Sequence, residues 1–438
     1  MTEYNDFIAS KQRRHVEHGR DCGPSQVHPT LHDWQRDIVA WAVRKGRAAI
    51  WADTGLGKTF MQIQWARLSV PNWIDHGTSG RALIVAPLAV CQQTIREAAK
   101  LGITARYLRE DDGQPGLIVT NYEMADRFDA ATLDAVVLDE ASILKQSDGK
   151  TRTNLIAHFD PVPARLVCTA TPAPNDPEEL TSQAEFIGVM PRVEMLAAYF
   201  IHDDKGWRLK GHAAEPMFRW MTSWAVALRK PSDIGYPDTG YDLPPLNIVS
   251  QIVSVDLAAP DGQLFRADIG GVGGRAEVRR ETLNARVDRA VELVKAEPDE
   301  PWLLWAGLNA ESDALAAAIP GSVNVQGNWA PEDKARALLD FADGKIRYLI
   351  TKPSIASQGL NFQHCARMAF VGIGDSWERY YQSIRRCWRY GQTRPVDAHV
   401  IVSQIEGQIV ANIQRKERHV NRMIAGLVEA MSKEWGRA

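Results

Sequence analysis

Short apolar runs rich in β-branched residues alternate with longer helix-like stretches, and this pattern occurs twice along the 438-residue chain. In the first half the runs fall at residues 48–52, 82–86, 117–120, 135–139 and 166–170, with a helical stretch at 88–100 among them. In the second half they fall at 302–306, 322–326, 347–351, 368–372 and 399–402, separated by helical patterns at 311–318, 331–342 and 376–386. Pro331 opens its helix, where a missing N–H costs nothing. Strands that read as unbroken apolar runs are buried on both faces, and buried strands alternating with helices make parallel sheets with right-handed crossovers. The expected fold is therefore α/β, with two parallel-sheet lobes in tandem.

The stretch between the two series is different. Residues 186–235 carry Trp207, Trp220, Trp224 and many basic side chains in helical patterns, and GYPDTGYDLPPLN at 235–247 then breaks the helix with Pro, Gly and Asp. The chain divides on this reading into an extension at 1–27 (a short helix and a turn), a first lobe at 28–185, a helical insert and hinge at 186–247, and a second lobe at 248–438. The last segment, 404–435, reads as helix packed on the second lobe.

A net charge of −3 gives no global field toward nucleic acid, so any polyanion surface must be local. The five cysteines are scattered without C-x-x-C spacing, which excludes a zinc ribbon or a disulfide framework and fits a reducing cytosol. The start of the chain lacks the apolar core of a signal peptide, and no apolar run is long enough to span a bilayer. A cytoplasmic protein is expected.

The sharpest local signal is ADTGLGKT at 52–59, following one apolar run and preceding a helix. Its glycines let backbone N–H groups turn toward phosphate oxygens, and a helix N-terminus favours the anion. Thr54, Gly55, Gly57, Lys58 and Thr59 are thus candidate ATP contacts, with Lys58 on the β- and γ-phosphates and the Thr59 hydroxyl on Mg2+. Position 52 holds Ala where the strict pattern has Gly. Asp139-Glu140 ends another apolar run about one lobe later; Asp139 would bind Mg2+ and Glu140 would orient or deprotonate the attacking water. In the second half, QSIRRCWRYGQ at 382–392 places Arg386 and Arg389 three apart, on one face if the segment is helical, where they could clamp a γ-phosphate.

Together these segments resemble the Swi/Snf-like branch of superfamily-two helicases, DNA-dependent ATPases with two RecA-like lobes that translocate on duplex DNA. The resemblance runs from His28 onward. LHDWQ at 31–35 is similar to the family's adenine-reading motif, with Gln35 as the adenine contact; VAPLAV (85–90) and VTNYE (119–123) sit where the family contacts DNA; CTATPAPND (168–176) resembles motif III. SQGLNF (357–362) resembles motif V, with Gly359 and Asn361 on matching positions, and QSIRRCWRYGQ resembles motif VI, which implies that Arg386 and Arg389 are arginine fingers. Ser142 stands where the family usually has His, and motif III reads TATP rather than TGTP. The resemblance implies an ATP- and Mg2+-dependent motor on DNA, with ATP bound between the lobes, of the minimal kind that bacteria and phages carry. A strand-separating DNA or RNA helicase, and a P-loop ATPase with no nucleic-acid role, are the alternatives.

Smaller features have simpler readings. Most of the fourteen tryptophans are expected in cores, although Trp34 and Trp388 flank nucleotide motifs. His364 and Cys365 have too few neighbouring ligands for a metal. The basic run Arg415, Lys416, Arg418 and Arg422 reads as a solvated helix face.

Overall fold

The computed structural model describes residues 17–71, 79–145, 149–204, 206–254, 280–356, 361–372, 374, 376–403 and 407–435. The chain forms two compact units, residues 1–241 with 419–438, and residues 242–418.

The first unit is built on strands β1 (Arg47–Ala52), β2 (Arg81–Ala86), β3 (Ala105–Tyr107), β4 (Gly116–Asn121), β5 (Ala135–Asp139) and β6 (Ala164–Cys168). A small hairpin, β7 (Phe200–Asp203) and β8 (Gly206–Leu209), precedes β9 (Ala225–Leu228). All but the hairpin join one seven-stranded sheet in the order β3-β4-β2-β5-β6-β1-β9. Every pairing in it is parallel. Parallel neighbours cannot be joined by tight turns, so the helices between them cross over the faces. The core shows this directly. Ala48, Ile50 and Ala52 of β1 pack with Ile38, Val43 and Trp65 from the helices Asp33–Lys45 and Lys58–Ser69. Ala49 and Trp51 pack on the opposite face with Leu180, Ala184 and Trp224. Trp65 and Trp224 are both fully buried, and truncating such a side chain to Ala costs about 3–5 kcal/mol.

The second unit carries β10 (Leu246–Val253), β11 (Trp302–Trp305), β12 (Ser322–Asn324), β13 (Tyr348–Thr351), β14 (Arg367–Phe370) and β15 (Val396–Ser403), in the order β10-β15-β14-β11-β13-β12. These pairings are also all parallel. Helix Leu283–Ala296 lays Val287, Ala290, Val291 and Val294 on Trp302 and Leu304, the spacing of one helical face. A buried ion pair ties the carboxyl ends of β11 and β14. Arg286 Nη1 lies 2.6 Å from Glu311 Oε1 and also donates to the Val371 carbonyl, while Glu311 Oε2 accepts from the Gly307 and Leu308 N–H groups at 2.7 and 2.9 Å. Every oxygen of that carboxylate is used, which is what makes a buried charge tolerable. A Cβ at Gly372 would collide with the same carboxylate, so the chain passes there as glycine.

Sequence and structure divide the chain differently in two places. Within the expected insert, β9 pairs with β1 and becomes an edge of the first sheet. Its four residues are all buried, but a run this short carries no periodicity by which to assign it. The end of the last helix, Gly407–Trp435, belongs to the first unit rather than the second: Met431 joins that unit's core, and Trp435 meets Trp41 edge-on with ring centroids 5.5 Å apart. Helical periodicity reveals an apolar face without naming its partner. Of the expected helix and turn at 1–27, residues 1–16 lie outside the described residues, and Pro24–Gln26 is a single 3-10 turn.

Candidate nucleotide site

The phosphate-loop residues run from the carboxyl end of β1 into helix Lys58–Ser69. Gly55 (φ 88°) and Gly57 (φ 72°) adopt left-handed backbone, where a side chain is strained. Gly57 caps the helix, and a Cβ on it would run into the Gln35 amide. That amide is held at both ends, Nε2 donating to the Leu56 carbonyl at 3.0 Å and Oε1 accepting from the His32 N–H at 2.9 Å. Gln35 therefore grips the loop from the helix that carries it.

Lys58 Nζ donates to the carbonyls of Ala52 (2.8 Å) and Asp53 (3.2 Å). Burial pushes its pKa down, opposed by the charges of Glu140, Asp139 and Asp53. An ammonium whose direct partners are neutral carbonyls still gains from an anion placed on its open side. Thr54 N–H donates to Asp53 Oδ1 at 2.6 Å, which folds the loop back on itself. Thr59 sits in the helix's first turn, partly exposed.

β6 lies between β1 and β5, so the loop and Asp139-Glu140 emerge from the same sheet edge. Asp139 and Glu140 are both buried. Asp139 Oδ1 accepts from Gln62 Nε2 at 2.6 Å and from the Glu140 N–H at 3.1 Å, and its backbone carbonyl accepts from the Tyr122 hydroxyl at 2.6 Å. Glu140 is the one non-glycine residue with positive φ (54°) among the described residues. Such strain, of about 1–3 kcal/mol, persists where the surroundings over-determine it. Thr169, just past β6, donates to Glu140 Oε2 at 3.4 Å and accepts from the Thr171 N–H at 3.1 Å, linking TATP to the carboxylate.

The donor set suits the group that the motif calls for. A carboxylate and a hydroxyl are the hard oxygen ligands that Mg2+ takes while keeping several waters. Asp139 and Thr59 would hold it, and Lys58 with the loop N–H groups would take phosphate oxygens.

In the second unit, helix Trp377–Cys387 starts at Ser376, whose hydroxyl accepts from the Arg379 N–H at 3.3 Å. Arg386 is buried; its Nε donates to the Gln382 carbonyl at 3.0 Å, and its own carbonyl accepts from the Phe362 N–H at 2.9 Å, which joins the exit of SQGLNF to this helix. The two arginines do not share a helix face as expected, because the helix stops at Cys387 and Arg389 lies beyond it. Contacts around Trp388 account for the stop. The Trp388 indole N–H donates to the Pro244 carbonyl at 2.7 Å, and the Arg385 guanidinium lies over the Trp388 ring at 4.8 Å. Gly391 then takes φ 90°, and the Gln392 amide is saturated, donating to the Cys365 and Cys387 carbonyls and accepting from the Thr393 and Arg394 N–H groups. Arg389 is thus held in a turn anchored on both sides. Gly359 lies outside the described residues.

Gln62, Tyr122 and Thr169 were not singled out from the sequence. Gln62 was within reach, being one helical turn after Lys58; the other two meet Asp139-Glu140 only through the sheet. Trp34 is buried and packs edge-on against Tyr241 at 5.7 Å. No group of three or more His, Cys, Asp or Glu side chains that could hold a metal occurs among the described residues. None of the described helices is long and apolar enough to cross a membrane.

Residues 29–196 match the SNF2-related domain, and residues 314–391 match the helicase conserved C-terminal domain. The chain is a Snf2-like helicase of superfamily two. Members of that family hydrolyse ATP. Over 474 residues it is 20% identical to the mouse (Mus musculus) DNA annealing helicase and endonuclease ZRANB3, covering 95% of this chain and 43% of that protein. It is 28% identical to the ATP-dependent helicase FUN30 of Saccharomyces cerevisiae over 42% of this chain and 19% of that one. It is 27% identical to the DNA excision repair protein ERCC-6-like of Danio rerio over 36% of this chain and 12% of that one. The chain thus spans less than half the length of these curated relatives. Among solved structures it is similar to S. cerevisiae Dbp5 bound to RNA and ADP BeF3, with a TM-score of 0.56 at 14% identity over 89% of this chain and 93% of that one. A Sulfolobus solfataricus SWI2/SNF2 ATPase core in complex with dsDNA is matched at a TM-score of 0.44 and 17% identity, over 88% and 90%. The two parallel sheets are RecA-like lobes of a helicase core.

Proposed function

We propose that this Snf2-like helicase couples ATP hydrolysis to movement along duplex DNA. The observation that carries the ATPase part is Lys58, which opens the helix after the loop and sets its ammonium on two carbonyls at the end of β1, on the same sheet edge as Asp139 and Glu140. Bound Mg2+ would supply charge neutralisation on the phosphate oxygens. The chain's own residues would do the rest: Gln35 reads the base, Lys58 binds phosphate, Glu140 orients water and takes its proton, and Arg386 and Arg389 meet developing charge. Thr169 ties the water-orienting carboxylate to the segment after β6, a route by which hydrolysis and DNA contact can communicate. Duplex as the track is supported by the match to the SNF2-related domain and by the motif VI resemblance. A track read through its phosphates is what a motor stepping along any sequence needs.

The test is ATP hydrolysis with no nucleic acid, with duplex DNA, with single-stranded DNA and with RNA, each at low and moderate salt. Duplex stimulation that fades with salt supports the reading. Greater stimulation by a single strand or RNA replaces it with a strand-separating helicase, and no stimulation by any of them removes the track altogether.

A further inference from the structure

At the amino end of the first sheet two arginines stand side by side. β1 and β6 pair in register with Arg47 opposite Arg165, and like charges on neighbouring strands repel. Arg165 is only 2% exposed. Its Nη1 donates to the Phe186 carbonyl at 2.8 Å and lies 3.2 Å from Asp160 Oδ1, while its Nε is buried without a protein partner. Arg47 commits its Nε to the Pro163 carbonyl at 3.2 Å. The remaining ends of both guanidinium groups converge on Gly188: a Cβ built there would lie 2.8 Å from Arg47 Nη1 and 3.1 Å from Arg165 Nη2. Gly188 is exposed and takes the left-handed backbone (φ 73°) that ends helix Glu179–Ile187.

Charge is poorly balanced here. Burial and then Arg47 push the pKa of Arg165 down to about 10, and His18 is held below its ordinary range by burial and by both arginines. Asp160, the carboxylate paired with Arg165, has a side chain 75% exposed, so water weakens its hold. Capping of the helix's carbonyl end accounts for Arg165 Nη1. It does not account for a second guanidinium aimed at the same point, or for the orphaned Nε behind it; a buried donor without a partner calls for a water or an ion. Two planar forks at one exposed spot match the oxygens of a phosphate-class anion.

We propose that Arg47 and Arg165, beside Gly188, form a binding site for a phosphate-class oxyanion. Lys58 and Asp139 emerge from the other end of the sheet, a strand length of roughly 20 Å away, so this site is separate from the nucleotide site. The oxyanion is either free in solution or a phosphodiester of nucleic acid, and the two sources are separated by the ligand titrated.

The experiment titrates wild type, Arg47→Leu and Arg47→Lys with inorganic phosphate and, separately, with a short DNA duplex at several salt concentrations. Phosphate taken up elsewhere on the chain contributes equally to all three proteins, so the differences report this site. Phosphate affinity is expected to fall about tenfold or more in Arg47→Leu. Arg47→Lys should lie in between, because it keeps the charge and loses the fork. A parallel fall in DNA affinity, with the salt slope reduced by about one, identifies the source as the nucleic-acid backbone; a fall for phosphate alone identifies a small ion. Basal ATP hydrolysis should be unchanged in both variants. Should Arg47→Leu fail to fold, the comparison of Arg47→Lys with wild type carries the test, and phosphate isotherms indistinguishable from wild type overturn the proposal.

Discussion

Replacing Gln62 by Leu removes a single hydrogen bond to the residue assigned to Mg2+. Gln62 and Asp139 are both buried, and the amide donates to Asp139 Oδ1 at 2.6 Å. A hydrogen bond to a charged partner contributes about 1.5–3 kcal/mol, which corresponds to roughly 10–100-fold in an equilibrium or rate. Residues that orient metal ligands cost a similar 10–100-fold when changed. Leucine is close in volume, and the Gln62 carbonyl oxygen has no partner to lose. Asp139 keeps its bond from the Glu140 N–H at 3.1 Å, so the fold should tolerate the change. What is lost is the direction of the carboxylate. The assay is steady-state ATP hydrolysis at fixed ATP with Mg2+ titrated, alongside a thermal melt. The expected result is a half-saturating Mg2+ concentration raised, or a kcat lowered, by about 10–100-fold with little change in Tm. Unchanged Mg2+ dependence and kcat with a lowered Tm would refute the reasoning and leave Gln62 as a packing residue.

Three further outcomes are expected. Arg389→Ala should leave ATP affinity near wild type and lower turnover on the order of a thousandfold, as measured by equilibrium nucleotide binding and single-turnover hydrolysis; wild-type turnover would remove Arg389 from the chemistry. Glu140→Gly should relax the backbone at φ 54°, raising stability by about 1 kcal/mol in urea titrations while turnover falls; a loss of both would mean that the carboxylate also holds the fold. Asp111 is raised by burial, but N–H groups of Gly113 and Asp129 and the Arg81 guanidinium outweigh that and hold its pKa below the ordinary value. The unfolded chain therefore takes up this proton first as pH drops. The stability that Asp111 supplies is complete above the ordinary carboxylate pKa and is lost as pH falls through the folded one. Asp111→Asn should flatten the acid side of a stability–pH curve measured by urea midpoints, and an unaltered curve would contradict the linkage.

Much of the site could be read from residues alone because its signals are local. A phosphate loop needs left-handed glycines at a strand-to-helix turn, and Gly55 and Gly57 are where the spelling of ADTGLGKT puts them. The apolar run ending in Asp139-Glu140 is a strand whose last residue reaches the sheet edge, as the run itself implies. Helices Leu88–Lys100 and Pro331–Ala342 begin and end where their apolar spacing does. Edges and partners were not local. β10 follows the Leu-Pro-Pro break, and its apolar residues do not follow burial: Ile248, Val249 and Ile252 are exposed while Val253 is buried. Arg386 and Arg389 are three apart in sequence, but a tryptophan ring, a carbonyl at Pro244 and the Gln392 amide end the helix between them.

The sequence by itself determined the two parallel sheets and the order of the motifs, and it singled out Lys58, Asp139 and Glu140 as candidates, since turn geometry and strand periodicity depend on near neighbours along the chain. Only the tertiary structure decided that Gln62 and Thr169 hold those two carboxylates and Tyr122 the Asp139 backbone carbonyl, that the end of the last helix joins the first unit, and that Arg47 and Arg165 face the same point. Each of those depends on which strand lies beside which, and strand order is set by packing many residues away.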